Sequence, residues 1–487
     1  MSTYDQLKIL AVPLGLTIGS ALLMVAFAWS QPAESTRDPW THIPEAKVHT
    51  DHSTFFEGEL KDGPAVTAAC LSCHPETASQ VMHTQHWNWV GDPVVIPGHE
   101  DEPPLAIGKK NVINNFCIGI ESNWPSCTKC HAGYGWKDNT FDFTDATHID
   151  CLVCHDQSHG YVKGASGVPP EDVDLMAAAQ SVGRATRANC GSCHFNGGGG
   201  NAVKHGDLDG TMINPNERID VHMGRYNLQC VDCHQTKEHN IPGRAISVSV
   251  DDHNRVKCSE CHTEAPHNDD RLNAHTATVA CQTCHIPSMG TDTGTKMTWD
   301  WSTAGDKELE ARIGDPHTYM AIKGTFQWEH GVKPEYAWYN GKADRYLLGE
   351  TIDPTKPTVL AGPLGDITDP TAKIWPFKVH RGRQPYDAGY SRFIVPKTVG
   401  PGGFWTEFDW ELAARLGAEE TGQPYSGQLG FAPTEMYWPL SHMVQTKERT
   451  LQCQDCHGEN GRMDWDALGY SGDPATHGGR AQQGVLQ

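Results

Sequence analysis

Positive charge is scarce in this chain of 487 residues: 38 Lys and Arg stand against 60 Asp and Glu, a formal net charge of −22. That deficit argues against nucleic acid as a partner, because a polyanion needs a basic face. It favours a basic protein partner and disfavours anionic substrates unless the site that takes them is locally positive. Apolar residues are also few, at 38%, while Gly and Pro number 49 and 31. A chain this polar does not easily bury a large core from its own side chains. Cysteines outside one recurring motif are almost absent: 16 of the 17 belong to it and only Cys117 remains, so a disulfide framework is excluded. The spacing of the motifs shows no fixed period, which excludes a solenoid.

What the chain holds instead is eight copies of C-x-x-C-H. They are Cys70, Cys73 and His74; Cys127, Cys130 and His131; Cys151, Cys154 and His155; Cys190, Cys193 and His194; Cys230, Cys233 and His234; Cys258, Cys261 and His262; Cys281, Cys284 and His285; and Cys453, Cys456 and His457. Random placement of 17 cysteines and 27 histidines gives roughly 0.03 such motifs. Zinc knuckles or redox pairs explain the cysteines but not a histidine after every pair. The motif is the attachment signal of c-type haem, in which two thioethers hold the porphyrin and the histidine ligates iron. Eight covalently bound c-type haems supply the missing apolar bulk, and folding is coupled to their insertion. The fold class expected is a multihaem cytochrome c, mainly α with extensive irregular loops, haems forming the core, and short strands in the motif-free segment. Short helices are expected at or just after many of the motifs. The glycine run at residues 197–200 follows no strand, so it reads as a turn or a close approach of backbone to a porphyrin and not as a dinucleotide fingerprint.

Residues 7–29 are apolar apart from Lys8, and Ala26-Phe-Ala28 offers a small-x-small cleavage site. Residues 1–28 read as a signal peptide or, at roughly 20 apolar residues, as an N-terminal membrane anchor. Either exports the body to the periplasm, the side on which c-type haem attachment is completed. Residues 29–45 are a linker. Residues 46–290 are a haem-dense body whose seven motifs begin 57, 24, 39, 40, 28 and 23 residues apart. Residues 291–445 carry no motif, are rich in Trp, Tyr, Pro and Gly, and are too long for a simple loop; they read as a wrapping segment that supplies distal ligands. A short helix is expected at residues 407–416. Residues 446–487 bring the eighth motif and a polar tail.

An iron with two histidines is coordinatively full and suits electron transfer, whereas an open or labile side suits catalysis. Nineteen histidines lie outside the motifs, 27 less eight. The second ligands expected are His86, His205, His222, His239, His275, His380 and His442, the first five because they lie close to a motif. His52, His148, His253 and His267 are in reserve. His42, His49, His99, His159, His317 and His477 are set aside.

The second motif differs from the others. Lys109 and Lys110 precede it closely, followed by Cys117. Lysine ligates iron only when deprotonated, for which burial or a neighbouring positive centre is needed. Taken alone, these lysines read as surface charges and Cys117 as a small buried apolar residue or a reactive thiol. The stretch GKKNVINNFCIGI followed by CTKCHAGYGW resembles the segment around the catalytic haem of the octahaem tetrathionate reductase family. PEYAWYNG at residues 334–341, WPFKVHRGRQPY at residues 375–386 and LSHM at residues 440–443 resemble it too. The resemblance covers about residues 46–475. It implies a periplasmic enzyme with seven bis-His haems and one His/Lys haem, the second. It further implies reduction of tetrathionate to thiosulfate by two electrons, with nitrite and hydroxylamine as side substrates. On this chain Cys127, Cys130 and His131 would hold the catalytic haem, with Lys109 as the matching lysine and Lys110 open. A role for Cys117 there follows from position alone. The partners implied are a small inorganic substrate and a periplasmic or quinol-linked cytochrome.

Three functions share this inventory: a reductase of sulfur oxyanions, a nitrite or hydroxylamine reductase, and an electron conduit without substrate. They separate at the second motif. A conduit would have a histidine there, and a nitrogen enzyme would set His, Tyr and Arg around an open iron. His83, Tyr134, Lys110 and Arg381 are the candidate donors.

Overall fold

A computed structural model describes residues 38–46 and 48–485; the expected signal peptide and the first part of the linker lie outside them. The chain divides into two compact units. Of the described residues, the smaller takes those up to Pro44 with Lys257–Asn273, and the larger takes those from Glu45 to Val256 and from Ala274 onward. In the smaller, one 3-10 turn covers Pro39–His42 and another, Cys258–Glu260, opens the sixth motif.

Helices in the motif-bearing part of the larger unit are short, and several coincide with the motifs. α1 (Gly63–Leu71) ends on the first, α2 (Arg187–His194) ends on the fourth and α3 (Cys281–His285) is the seventh itself. One helical turn brings residues i, i+3 and i+4 to one side, which is what two thioethers and an iron ligand on one porphyrin require. Local chemistry starts these turns. Asp62 caps α1 by accepting from Ala65 N at 2.8 Å, with a proline in the first turn, and Asn189 Oδ1 accepts from Thr186 N at 2.9 Å at the start of α2.

The motif-free segment departs from the expectation of short strands in a mainly α chain. It builds a nine-stranded sheet in the order β2-β3-β1-β7-β9-β6-β5, with β4 and β8 also paired to β7. The strands are β1 (Thr295–Asp300), β2 (Tyr319–Met320), β3 (Gly324–Glu329), β4 (Glu335–Tyr339), β5 (Ala343–Arg345), β6 (Thr358–Pro363), β7 (Lys373–Asp387), β8 (Arg392–Phe393) and β9 (Leu429–Pro439). β7 is the spine: it pairs antiparallel with β9 from Phe377↔Pro439 to Asp387↔Leu429 and parallel with β1 at Thr298↔Arg381. From Ile374 to His380 every residue of β7 is buried. A strand covered on both faces loses the alternation by which a strand is read from sequence. The edge of the expected helix also moves. α4 spans Trp410–Thr421, because Phe408 is left-handed (φ +57°) and Asp409 caps the helix by accepting from Leu412 N at 3.0 Å.

One core cluster ties the sheet to the second-motif stretch: Phe116 and Ile118 pack with Trp299, Trp301, Phe326 and Trp438. Trp301 Nε1 donates to Phe116 O at 3.1 Å, fixing the chain around Cys117 against β1.

Candidate haem sites and the second motif

Five motif histidines face a second imidazole across a gap. Ring centroids lie 6.4 Å apart for His52 and His74, 6.4 Å for His155 and His239, 6.1 Å for His86 and His194, 6.3 Å for His234 and His442, and 6.3 Å for His275 and His457. Two imidazoles on opposite sides of one iron, with metal–nitrogen bonds of about 2.0 Å, have centroids roughly 6.3 Å apart. The tautomers fit as well. Nδ1 hydrogen-bonds Gly183 O at 2.9 Å from His155, Pro242 O at 2.7 Å from His234 and Asp473 Oδ1 at 2.6 Å from His457. On the facing rings Nδ1 reaches Thr50 O at 2.8 Å from His52, Gln80 Oε1 at 2.9 Å from His239 and Asp207 Oδ2 at 3.3 Å from His442. These oxygens only accept, so each Nδ1 carries the proton and each Nε2 keeps a lone pair for a metal.

Nearness in sequence does not choose the partner. His86 follows His74 by 12 residues yet faces His194; His239 follows His234 by five yet faces His155; His275 precedes Cys281 by six yet faces His457. A second ligand must cross to the far face of a porphyrin, and a short tether from the same motif cannot reach around it. His52, held in reserve on sequence grounds, faces His74. His205 and His380, expected as ligands, face no motif histidine among the described residues. The His205 ring lies 5.0 Å from that of Trp438. His380, inside doubly covered β7, bonds Asn115 Oδ1 through Nδ1 at 3.0 Å and has no partner at Nε2. His222 and His285 flank one segment: Val221 N donates to Val444 O at 2.8 Å and Gln445 N to His285 O at 2.8 Å. In the smaller unit His42, set aside by sequence, has Nε2 3.9 Å from Glu260 of the sixth motif.

Motifs adjoin one another through their cysteine sulfurs. The Cys70 sulfur neighbours that of Cys151, Cys130 that of Cys193 and Cys190 that of Cys230. The second motif therefore abuts the fourth, and the fourth abuts the fifth.

At the second motif the histidine is turned away. His131 is fully buried in an aromatic box, its ring centroid 4.7 Å from Trp136, 5.1 Å from Trp87 and 5.5 Å from Trp89 and Phe141. Its Nε2 lies 2.6 Å from Trp87 O, and its Nδ1 has no partner. Burial pushes the imidazole down to about 3, so the ring is neutral and has one N–H. Because the Trp87 carbonyl only accepts, that proton sits on Nε2. This is the reverse of His155, His234 and His457, and in this orientation the Nε2 expected to meet iron is engaged by the Trp87 carbonyl.

A close approach of backbone places the two lysines. A Cβ at Gly108 would lie 2.1 Å from Trp89 O, so only glycine lets the chain pass there. Lys110 N then donates to Trp89 O at 3.1 Å. The Lys109 amine stands 4.0 Å over the Trp89 ring, and that of Lys110 stands 4.8 Å over Phe143. The charge of Lys109 acts on Cys127, Cys130, His131 and Cys117, and its amine makes no hydrogen bond among the described residues. Sequence reasoning missed Lys163, whose amine reaches His131 O, Gly133 O at 3.1 Å and Asp150 at 2.8 Å. All three of its donors are thus used. No motif marks it; only the fold brings it to the site.

Cys117 is held by Asn114, whose Oδ1 accepts from the backbone N–H groups of Phe116, Cys117 and Ile118 at 3.1, 2.8 and 3.1 Å. Burial pushes its thiol up, opposed by Lys323, Lys296, Lys109 and Lys204. Three of these four amines come from elements the sequence did not connect with Cys117. The donors considered for a nitrogen enzyme are engaged elsewhere. Tyr134 donates to Asp150 at 2.9 Å, Arg381 is paired with Glu335 at 2.6 Å and Glu435 at 3.1 Å, and exposed His83 bonds Ser79 O at 2.5 Å.

Residues 296–460 match the family described as Cytochrome c bacterial. A protein of Archaeoglobus fulgidus that carries only the description "uncharacterized" is 24% identical over 253 residues, 41% of this chain and 82% of that protein. The crystal structure of octahaem cytochrome c from Shewanella oneidensis is 51% identical, with a TM-score of 0.82 over 88% of this chain and 98% of that one. Such a neighbour accounts for the facing imidazoles and for covalent c-type haem. With these motifs and this fold, the chain belongs to the octahaem tetrathionate reductase family of multihaem cytochromes c.

Proposed function

We propose that the chain is an octahaem reductase that passes two electrons to tetrathionate, releasing two thiosulfates, at the second motif. The observation that carries this reading is the orientation of His131. With Nε2 donating to Trp87 O, the second motif holds its haem through Cys127 and Cys130 but does not offer the imidazole. Lys109, free of hydrogen bonds over Trp89, is the residue to replace it. Lys109 is preferred because the Lys163 amine already serves three acceptors and Lys110 is turned toward Phe143.

Haem supplies one-electron storage and transfer and, at the second motif, an iron position that a ligand can enter. The remaining motifs are assigned to electron transfer: His52, His239, His86, His442 and His275 serve the first, third, fourth, fifth and eighth, and His222 serves the seventh. Electrons reach the second motif from the fourth, where Cys130 meets Cys193. Sulfur oxyanions are preferred over nitrite because lysines surround Cys117, whereas Tyr134 and Arg381 are tied to carboxylates. The apolar stretch at residues 7–29 supports a periplasmic location, where a cytochrome would serve as electron donor.

Oxidation of reduced viologen by the purified holoprotein tests the reading. Tetrathionate is expected to be the fastest oxidant. Faster turnover with nitrite or hydroxylamine would move the assignment to nitrogen chemistry, and no oxidation by any of the three would leave a conduit.

A further inference from the structure

The glycine run at residues 197–200 and a set of buried amines meet at Cys117. A Cβ at Gly197 would lie 2.9 Å from Lys204 Nζ, and one at Gly198 would lie 2.6 Å from Lys204 Cγ. A Cβ at Gly199 would lie 3.5 Å from Cys117 Sγ, 3.8 Å from Lys323 Nζ and 3.8 Å from the Trp299 ring. Gly198, Gly199 and Gly200 all have positive φ, at +76°, +102° and +154°. The run is therefore a floor without side chains, over which an amine, a thiol and a second amine are set in that order.

Lys296 closes the far end. It is only 4% exposed, and its amine lies 3.3 Å from the Phe326 ring centroid, 4.1 Å from Trp299 and 5.1 Å from Trp328. Its amine makes no hydrogen bond among the described residues. Burial, and then Lys323, push this amine down to about 7; burial, and then Lys109, push Lys204 down to about 8. No carboxylate acts on Lys204, Lys296 or the Cys117 thiol. Several converging amines without a counter-charge, inside a chain of net charge −22, have the chemistry that receives an anion.

We propose that this chamber binds a sulfur oxyanion carrying negative charge at both ends, with Lys204 at one end, the Lys296–Lys323 pair at the other, and the glycine floor and Cys117 along its middle. Tetrathionate fits that description, since its two sulfonates flank a central S–S bond, whereas nitrite fills one end only. The inference rests on the reductase reading and adds the element that selects between substrates.

The test uses oxidised holoprotein, in which tetrathionate binds without turnover, and calorimetry with tetrathionate and with nitrite as probes. Lys296→Met keeps the bulk of the side chain among the aromatic rings and removes the charge; Lys323→Met does the same for the second amine. Each is expected to weaken tetrathionate binding tenfold or more and nitrite binding less than twofold, while Lys296→Arg retains most of the affinity. Unchanged tetrathionate affinity in both Met variants, equal losses for both anions, or no binding to the native protein overturns the proposal. So does a shifted haem midpoint with unchanged affinity, which would make Lys296 the partner of a haem propionate. A native protein that binds tetrathionate in this way but does not reduce it would overturn the reductase reading and leave the chamber standing.

Discussion

His131 Nε2 donates to the Trp87 carbonyl at 2.6 Å, while two residues further on the Trp89 ring carries the Lys109 amine at 4.0 Å. One turn of chain thus engages the imidazole on one side and presents an amine on the other. The aromatic box around His131 suits a neutral imidazole whose one N–H is met by the Trp87 carbonyl, leaving the Nδ1 lone pair without a partner.

Cross-chain ligation has a direct spectroscopic consequence. His52→Ala should leave one additional haem high-spin and able to bind carbon monoxide, because His52 faces His74 at 6.4 Å. His205→Gln should leave the haem spectrum as it is, since the His205 ring packs against Trp438. Electron paramagnetic resonance of the two variants separates these outcomes; a new high-spin haem in His205→Gln would contradict the pairing.

Lys163 is structural in this account. Its pair with Asp150 at 2.8 Å is buried on both sides, with side-chain exposures of 5% and 0%. Lys163→Met leaves the Asp150 charge without its partner and should cost about 3–5 kcal/mol, seen as a lower thermal midpoint. The same variant should keep all haem spectra unchanged. An altered ligand field in Lys163→Met would transfer the ligand role from Lys109 to it.

Asp473 hydrogen-bonds His457 Nδ1 at 2.6 Å, which puts a carboxylate behind an iron-ligating imidazole. A negative second partner raises ligand basicity and stabilises ferric iron. Asp473→Asn keeps the bond and removes the charge, so one haem should titrate at a higher midpoint in a spectroelectrochemical experiment while the others hold theirs. No change in any midpoint would rule out this tuning.

The anion chamber predicts a pH dependence of tetrathionate binding. The Lys296 amine is held down to about 7 by burial and by Lys323, with the Cys117 thiol also facing it. It is charged below that pH and neutral above it, so affinity should fall as pH rises from 6 toward about 8. The slope should flatten in Lys296→Met. A profile of the same steepness in native and variant protein would assign the titration to another group.

The sequence made the haem inventory readable because C-x-x-C-H is a local constraint: attachment chemistry and one helical turn fix it within five residues. It was less able to pair the ligands, since His86 and His194, or His275 and His457, are brought together only by the whole fold. The sheet was hidden for a related reason. β7 is buried on both faces from Ile374 to His380, so its pattern carries no alternation; His380 on it, read as a ligand, bonds Asn115 through Nδ1 and faces no motif histidine among the described residues. Lys109 was singled out by the unusual GKK before one motif. The turn of His131 was not, because it depends on the Trp87 carbonyl, which leaves no trace in residue type. Lys204, Lys296 and Lys323 lie far from Cys117 in sequence and meet it only when the glycine run folds beneath them.

The central claim is that Lys109 ligates the second haem and that reduction occurs there. Paramagnetic resonance of Lys109→Met, recorded beside viologen-linked tetrathionate turnover of the same preparation, tests it most directly. The account predicts that the signal of one haem changes, those of the remaining haems hold, and turnover falls at least tenfold. An unaltered spectrum with unaltered turnover would contradict it.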